Sequence, residues 1–114
     1  MLLFLDDIRT KEQVYPVYYG DYFEVRSFEE FCAWIEENGL PEIISFDHDL
    51  SIEHYAGDFS KEKTGMDCAK WLVEYCLDHN EKLPQYFVHS QNPVGKQNIL
   101  GLLKGFEREQ NTAN

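Results

Sequence analysis

The sequence predicts a three-layer α/β domain: a mainly parallel, four-stranded sheet of order 2-1-3-4, with helices on both faces. Three observations carry this reading. Short apolar runs alternate along the chain with segments of helical period. The first run, Leu2-Leu3-Phe4-Leu5, is continuously apolar, as a strand buried on both faces must be. Two of the runs end in acidic turns, Asp6-Asp7 and Asp47-His48-Asp49, at the carboxyl ends where open α/β sheets gather their ligands.

Each element has its own signal. Residues 2–5 read as strand one. Residues 7–21 are polar and aromatic, interrupted by Pro16 and Gly20, and predict at most a broken helix. Tyr22-Phe23-Glu24-Val25 reads as strand two. Ser27 with Glu30 three residues on forms a capping box, which opens a helix whose inward stripe is Phe28, Phe31, Cys32 and Ile35. Asn38-Gly39 stops it, and residues 42–46 follow as strand three. Leu50 to Lys63 shows no steady period and reads as a long loop. Thr64 and Asp67 repeat the capping logic and start a helix with apolar positions at Cys68, Ala69, Trp71, Leu72, Tyr75 and Cys76. Asn80 and Pro84 close that helix, and residues 85–89 are strand four. Asn92 at N-cap and Pro93 at the first helical position begin the last helix, which buries Ile99, Leu102, Leu103 and Phe106. Strands alternating with helices imply a parallel sheet with right-handed crossovers, for which the order expected is 2-1-3-4. That order puts the topological switch between strands one and three, where the two acidic turns meet.

Totals narrow the function classes. A chain of 114 residues holds one domain, assigned here to 1–108, with a frayed polar tail at 109–114. Its net charge of −11 would repel an extended phosphodiester backbone, which argues against nucleic-acid coating but leaves a small phosphorylated molecule or an RNA end. Cys32, Cys68 and Cys76 form no paired motif and fall on helix stripes, so they read as buried, reduced thiols of a cytoplasmic protein. The apolar start ends at Asp6-Asp7, too short for a secretion signal, and no run approaches a membrane span. Exposed tyrosines among Tyr15, Tyr18, Tyr19 and Tyr22 offer a patch for a protein partner.

The acidic turns are the chemical centre. Gathering Asp6, Asp7 and Asp47 costs energy unless a cation or a shared proton stands between them. Hard oxygen donors from two strand ends suit a divalent cation, Mg²⁺ or Mn²⁺. His48, Asp49 and His89 share the same rim and suit general acid–base work or metal ligation. Ser90, Asn92 and Thr64 stand at helix starts, where phosphate oxygens find amide donors. Asn92 and Thr64 also have the simpler task of capping those helices.

An acidic doublet after strand one, an aspartate ending strand three and a hydroxyl ending strand four resemble response-regulator receiver domains. That resemblance implies a flavodoxin-like fold, with Asp6 and Asp7 matching the Mg²⁺-binding doublet, Asp47 the phosphoacceptor and Ser90 the switch hydroxyl. The receiver's fifth strand and its lysine have no counterpart. A fuller likeness runs through Leu5-Asp6-Asp7-Ile8-Arg9, Phe46-Asp47-His48-Asp49-Leu50, Thr64-Gly65-Met66-Asp67 and His89-Ser90-Gln91-Asn92-Pro93. These strings are similar to the cyclic-phosphate processing receiver-like family. The resemblance implies metal-assisted hydrolysis of a cyclic phosphate, such as a 2′,3′-cyclic phosphate at an RNA end. Asp6, Asp7 and Asp47 would hold the metal, His48 and His89 would move protons, and Arg9, Ser90 and Asn92 would grip phosphate oxygens. The alternative is a non-catalytic receiver-like module that binds metal or a protein partner.

Overall fold

A computed structural model describes residues 1–50 and 63–112. Most of the stretch read as a long loop, His54 included, lies outside the described residues. Four parallel strands, β1 (Leu2–Leu5), β2 (Tyr22–Val25), β3 (Ile43–Phe46) and β4 (Gln85–Val88), form one sheet of order β2-β1-β3-β4. Between and after them come α1 (Lys11–Val14), α2 (Phe28–Asn38), α3 (Gly65–His79) and α4 (Pro93–Thr112).

The strands alternate their side chains between two unequal faces. Leu3, Leu5, Val25, Ile44, Phe46 and Val88 point into the main core. There they meet Phe31 and Ile35 of α2, Cys68 and Leu72 of α3, and Ile99, Leu103 and Phe106 of α4. Right-handed crossovers explain the imbalance, since β1-to-β2 runs one way along the sheet while β2-to-β3 and β3-to-β4 run the other. The opposite face, carrying Leu2, Phe4, Ile43, Ser45 and Phe87, is covered by the β1–β2 connection alone among the described residues. The third layer is therefore thin.

That thin layer is held by buried Lys11. Its Nζ donates to the Tyr18 carbonyl at 2.7 Å and the Tyr15 carbonyl at 3.4 Å, and it pairs with Glu12 at 2.5 Å. Thr10 and Gln13 cap α1 reciprocally. The expected broken helix is thus a single capped turn. Tyr15 and Tyr18, expected in an exposed patch, are half-buried against the sheet, and Tyr19 is 89% exposed.

The helix ends largely follow the expected chemistry. Thr64 and Asp67 cap α3 reciprocally, and Asn80 ends it in the left-handed conformation at φ 53°. Asn92 caps α4, its Oδ1 accepting from the Gly95 amide at 3.0 Å. Ser27 accepts from the Glu30 amide, but the Glu30 carboxylate reaches the Arg26 amide instead of that of Ser27. Only half of that capping box forms. At the far end α4 continues through Thr112, where a frayed tail from 109 was expected. Gln110 gives the reason: its side chain accepts from the Leu83 amide and donates to the Glu81 carbonyl, tying the last turns to the start of β4.

Candidate functional site

Leu5 and Phe46 are partners in register, so the residues after them, Asp6 and Asp47, leave adjacent strands side by side and on the same face. The Asp47 amide donates to the Leu5 carbonyl at 3.0 Å, which extends the ladder into the turn. One carboxylate oxygen from each of Asp6, Asp7 and Asp47 lies within 4.8 Å of the other two. Asp6 is 1% exposed and Asp47 7%. The expected convergence of the two acidic turns is present.

A cation already stands beside them. Arg9 Nε donates to Asp6 Oδ2 at 3.1 Å, and its Nη2 lies 3.9 Å from Asp47 Oδ1 while donating to the His89 carbonyl. Asp6 also accepts from the amides of Ile8 and Arg9 and from His89 Nε2 at 3.1 Å. Four donors fill the acceptor capacity of one carboxylate. Burial alone would raise the Asp6 pKa, but the His89 bond, the two amides and the Arg9 charge outweigh it and bring it down to about 2. Asp47 shifts the other way, pushed up by burial and by the neighbouring Asp6 charge.

His89 follows β4 at the same edge and reaches Asp6, but it is turned inward. Its side chain is 3% exposed, and its ring stacks on Phe4 with centroids 4.6 Å apart and planes 8° apart. Nδ1 lies 2.7 Å from Ser45 Oγ, which in turn lies 2.8 Å from the Tyr15 hydroxyl. Ser45 and Tyr15 were missed by sequence reasoning. The signal for Ser45 was a lone hydroxyl inside an apolar strand; Tyr15 gave none.

His48 is placed differently. Its Nδ1 bonds Asp49 Oδ1 at 2.8 Å, and the Asn92 amide nitrogen donates to both Asp49 oxygens at 3.3 Å. The imidazole packs against Gly95, where an added Cβ would come within 2.3 Å of the ring. On the other side, the Gly65 amide donates to the His48 carbonyl at 2.7 Å. A Cβ on Gly65 would fall 1.8 Å from the Asp47 carbonyl oxygen. Two glycines in the first turns of α3 and α4 thus let both helix starts close on the Asp47-His48-Asp49 turn. Ser90 Oγ accepts from the Asn92 amide, and the Thr64 hydroxyl is engaged by Met66 and Asp67 within its own helix start.

The model of the cyclic-phosphate processing receiver domain matches residues 1–105, which include every residue of this site. The chain belongs to this family. No curated protein and no solved structure matches it. The receiver domain's acidic pocket fits a divalent cation, since one ion with metal–oxygen distances of about 2.0–2.6 Å spans oxygens this close. Among the described residues of the domain, no helix is long and apolar enough to cross a membrane.

Proposed function

We propose that this carboxyl edge is an active site that hydrolyses a cyclic phosphodiester, with a 2′,3′-cyclic phosphate on a nucleotide or RNA end as the substrate class. The observation that carries the reading is the gathering of three carboxylates within 4.8 Å at the switch point of the sheet. The family's description, cyclic-phosphate processing, supports the substrate class. A divalent cation held by Asp6, Asp7 and Asp47, Mg²⁺ or Mn²⁺, would offset phosphate charge and lower the pKa of an attacking water. Asp6 would enter with four donors already on it.

The protein's own groups do the rest. Water oxygen bonds to phosphorus as one phosphorus–oxygen bond to the sugar breaks, leaving a phosphomonoester and a hydroxyl. His48 takes the water's proton and returns one to the departing sugar oxygen. Its Nδ1 bond to Asp49 leaves Nε2 for that exchange, and Asn92 holds Asp49 in place. Arg9 and Ser90 grip non-bridging oxygens. His89, first expected to share proton transfer, is buried with both ring nitrogens engaged and serves Asp6 instead. Thr64 and Asn92 are spent on their helix starts, so direct phosphate contact falls to the other two.

A second reading, a non-catalytic module that binds a cation or a protein partner, is favoured by Arg9 already neutralising Asp6. Incubation with 2′,3′-cyclic nucleotides and Mg²⁺ or Mn²⁺, followed by phosphorus NMR, separates the two. The active-site reading expects a phosphomonoester, and His48→Ala should slow its formation by about 10²–10⁴-fold. No product with either metal would leave the binding module standing.

A further inference from the structure

A buried chain of hydrogen bonds runs beneath the β1–β2 connection toward the acid cluster. It passes from the Tyr15 hydroxyl to Ser45 Oγ at 2.8 Å, from Ser45 to His89 Nδ1 at 2.7 Å, and from His89 Nε2 to Asp6 Oδ2 at 3.1 Å. Ser45 is wholly buried. Phe4 lies flat on the imidazole and Tyr15 meets it edge-on, at 6.1 Å and 81°, so the ring is fixed in plane.

The number of protons sets the direction of the chain. Asp6 takes two backbone amides and the Arg9 guanidinium besides His89, and an ionised carboxylate only accepts. His89 Nε2 must therefore carry a hydrogen. In a neutral ring Nδ1 is then a lone pair, which obliges Ser45 to donate to it and Tyr15 to donate to Ser45. In this order every proton of the chain has an acceptor. In a neutral ring the reverse order would set the Nε2 lone pair against the Asp6 carboxylate.

We propose that Ser45 and Tyr15 are positioning residues of the acid site, which fix the His89 ring through Nδ1 so that its Nε2–H is a standing donor to Asp6. Tyr15 caps the end of α1, and Lys11 holds its carbonyl, so the thin layer over the sheet becomes part of the site's scaffold. The proposal concerns the same pocket as the hydrolytic reading but needs neither a metal nor turnover.

Two-bond proton–nitrogen NMR on the whole chain, with ring-¹⁵N histidine at neutral pH, tests it. His89 is assigned by the signals lost in His89→Asn. The expected pattern has a proton held on Nε2. Ser45→Ala, if folded by circular dichroism, should blur that pattern into mixed tautomers, and Ser45→Thr should restore it. Tyr15→Phe, which leaves no buried hole, should keep the tautomer but move the Nδ1 resonance. A His89 with no proton on Nε2 in the unaltered protein overturns the proposal, as does an unchanged pattern in folded Ser45→Ala. An unmoved resonance in Tyr15→Phe removes Tyr15 from the chain. Because these signals are independent of hydrolysis, an inactive protein with the expected tautomer would sink only the enzymatic reading.

Discussion

Asp6 and Asp47 are neighbours across one strand pair, yet the fold treats their charges oppositely. Asp6 is favoured as an anion, with a pKa of about 2 against an ordinary 3.8. A depressed folded value adds stability that is present above the unfolded pKa and fades as pH falls through the folded one. Asp6→Asn should therefore cost about 2 kcal/mol near neutral pH, from roughly 1.36 kcal/mol per unit, and the loss should shrink between about pH 4 and pH 2. Asp47 has the reverse sign: its raised pKa means that the folded state resists the anion. Asp47→Asn should raise the melting temperature near neutral pH, by the equivalent of roughly 0.5–2 kcal/mol, with no gain under acid conditions. Urea titrations of both variants across pH check the pair. Equal signs would mean that the electrostatic asymmetry is absent. A carboxylate kept at a cost to stability is what a working site is expected to contain.

Among the elements, the β3–α3 turn shows why two glycines matter. Gly-to-Ala inside a helix ordinarily stabilises by about 1 kcal/mol. At Gly65 the sign should invert, because the new methyl meets the Asp47 backbone carbonyl at 1.8 Å and backbone cannot turn aside. A loss of about 1–3 kcal/mol is expected, read by thermal melting. Gly95→Ala meets the His48 imidazole instead, a side chain that can rotate away. That variant should fold, and the proposed cyclic-nucleotide turnover should fall at least about tenfold through misplacement of His48, its proposed base. The close approach at either glycine was not legible. Both stand in sequence as ordinary helix residues, and only the approach of the turn reveals what a Cβ would strike. By contrast, Thr64 with Asp67 and Asn92 with Pro93 were legible because caps are local, made within three residues. Ser27 marks the limit, since its Glu30 had two backbone amides within reach and took that of Arg26.

For the whole molecule, the layers are unequal. Among the described residues, three long helices cover one face of the sheet and a single capped turn lies on the other. β4 is, among the described residues, an edge strand. Over this frame lies a net charge of −11. Like charges oppose compaction, and salt screens them over about 10 Å at 0.1 M. The melting temperature should rise as NaCl goes from a few millimolar toward about 0.5 M. A fall would mean that internal pairs such as Arg9 with Asp6 outweigh the diffuse repulsion.

By itself the sequence determined the strands and the edge on which the acids meet, because periodicity and caps are short-range rules, and the order expected of such a sheet is the one found. It also carried the family, through strings contiguous in the chain. Tertiary structure alone decided what each site residue does. His48 and His89 look alike as letters at strand ends, but one faces the turn between two helix starts while the other is stacked on Phe4 and bonded through Ser45. The reason is distance along the chain: His89 meets Asp6 across 83 residues and Ser45 across 44. No local pattern encodes partners that only the folded sheet brings into line.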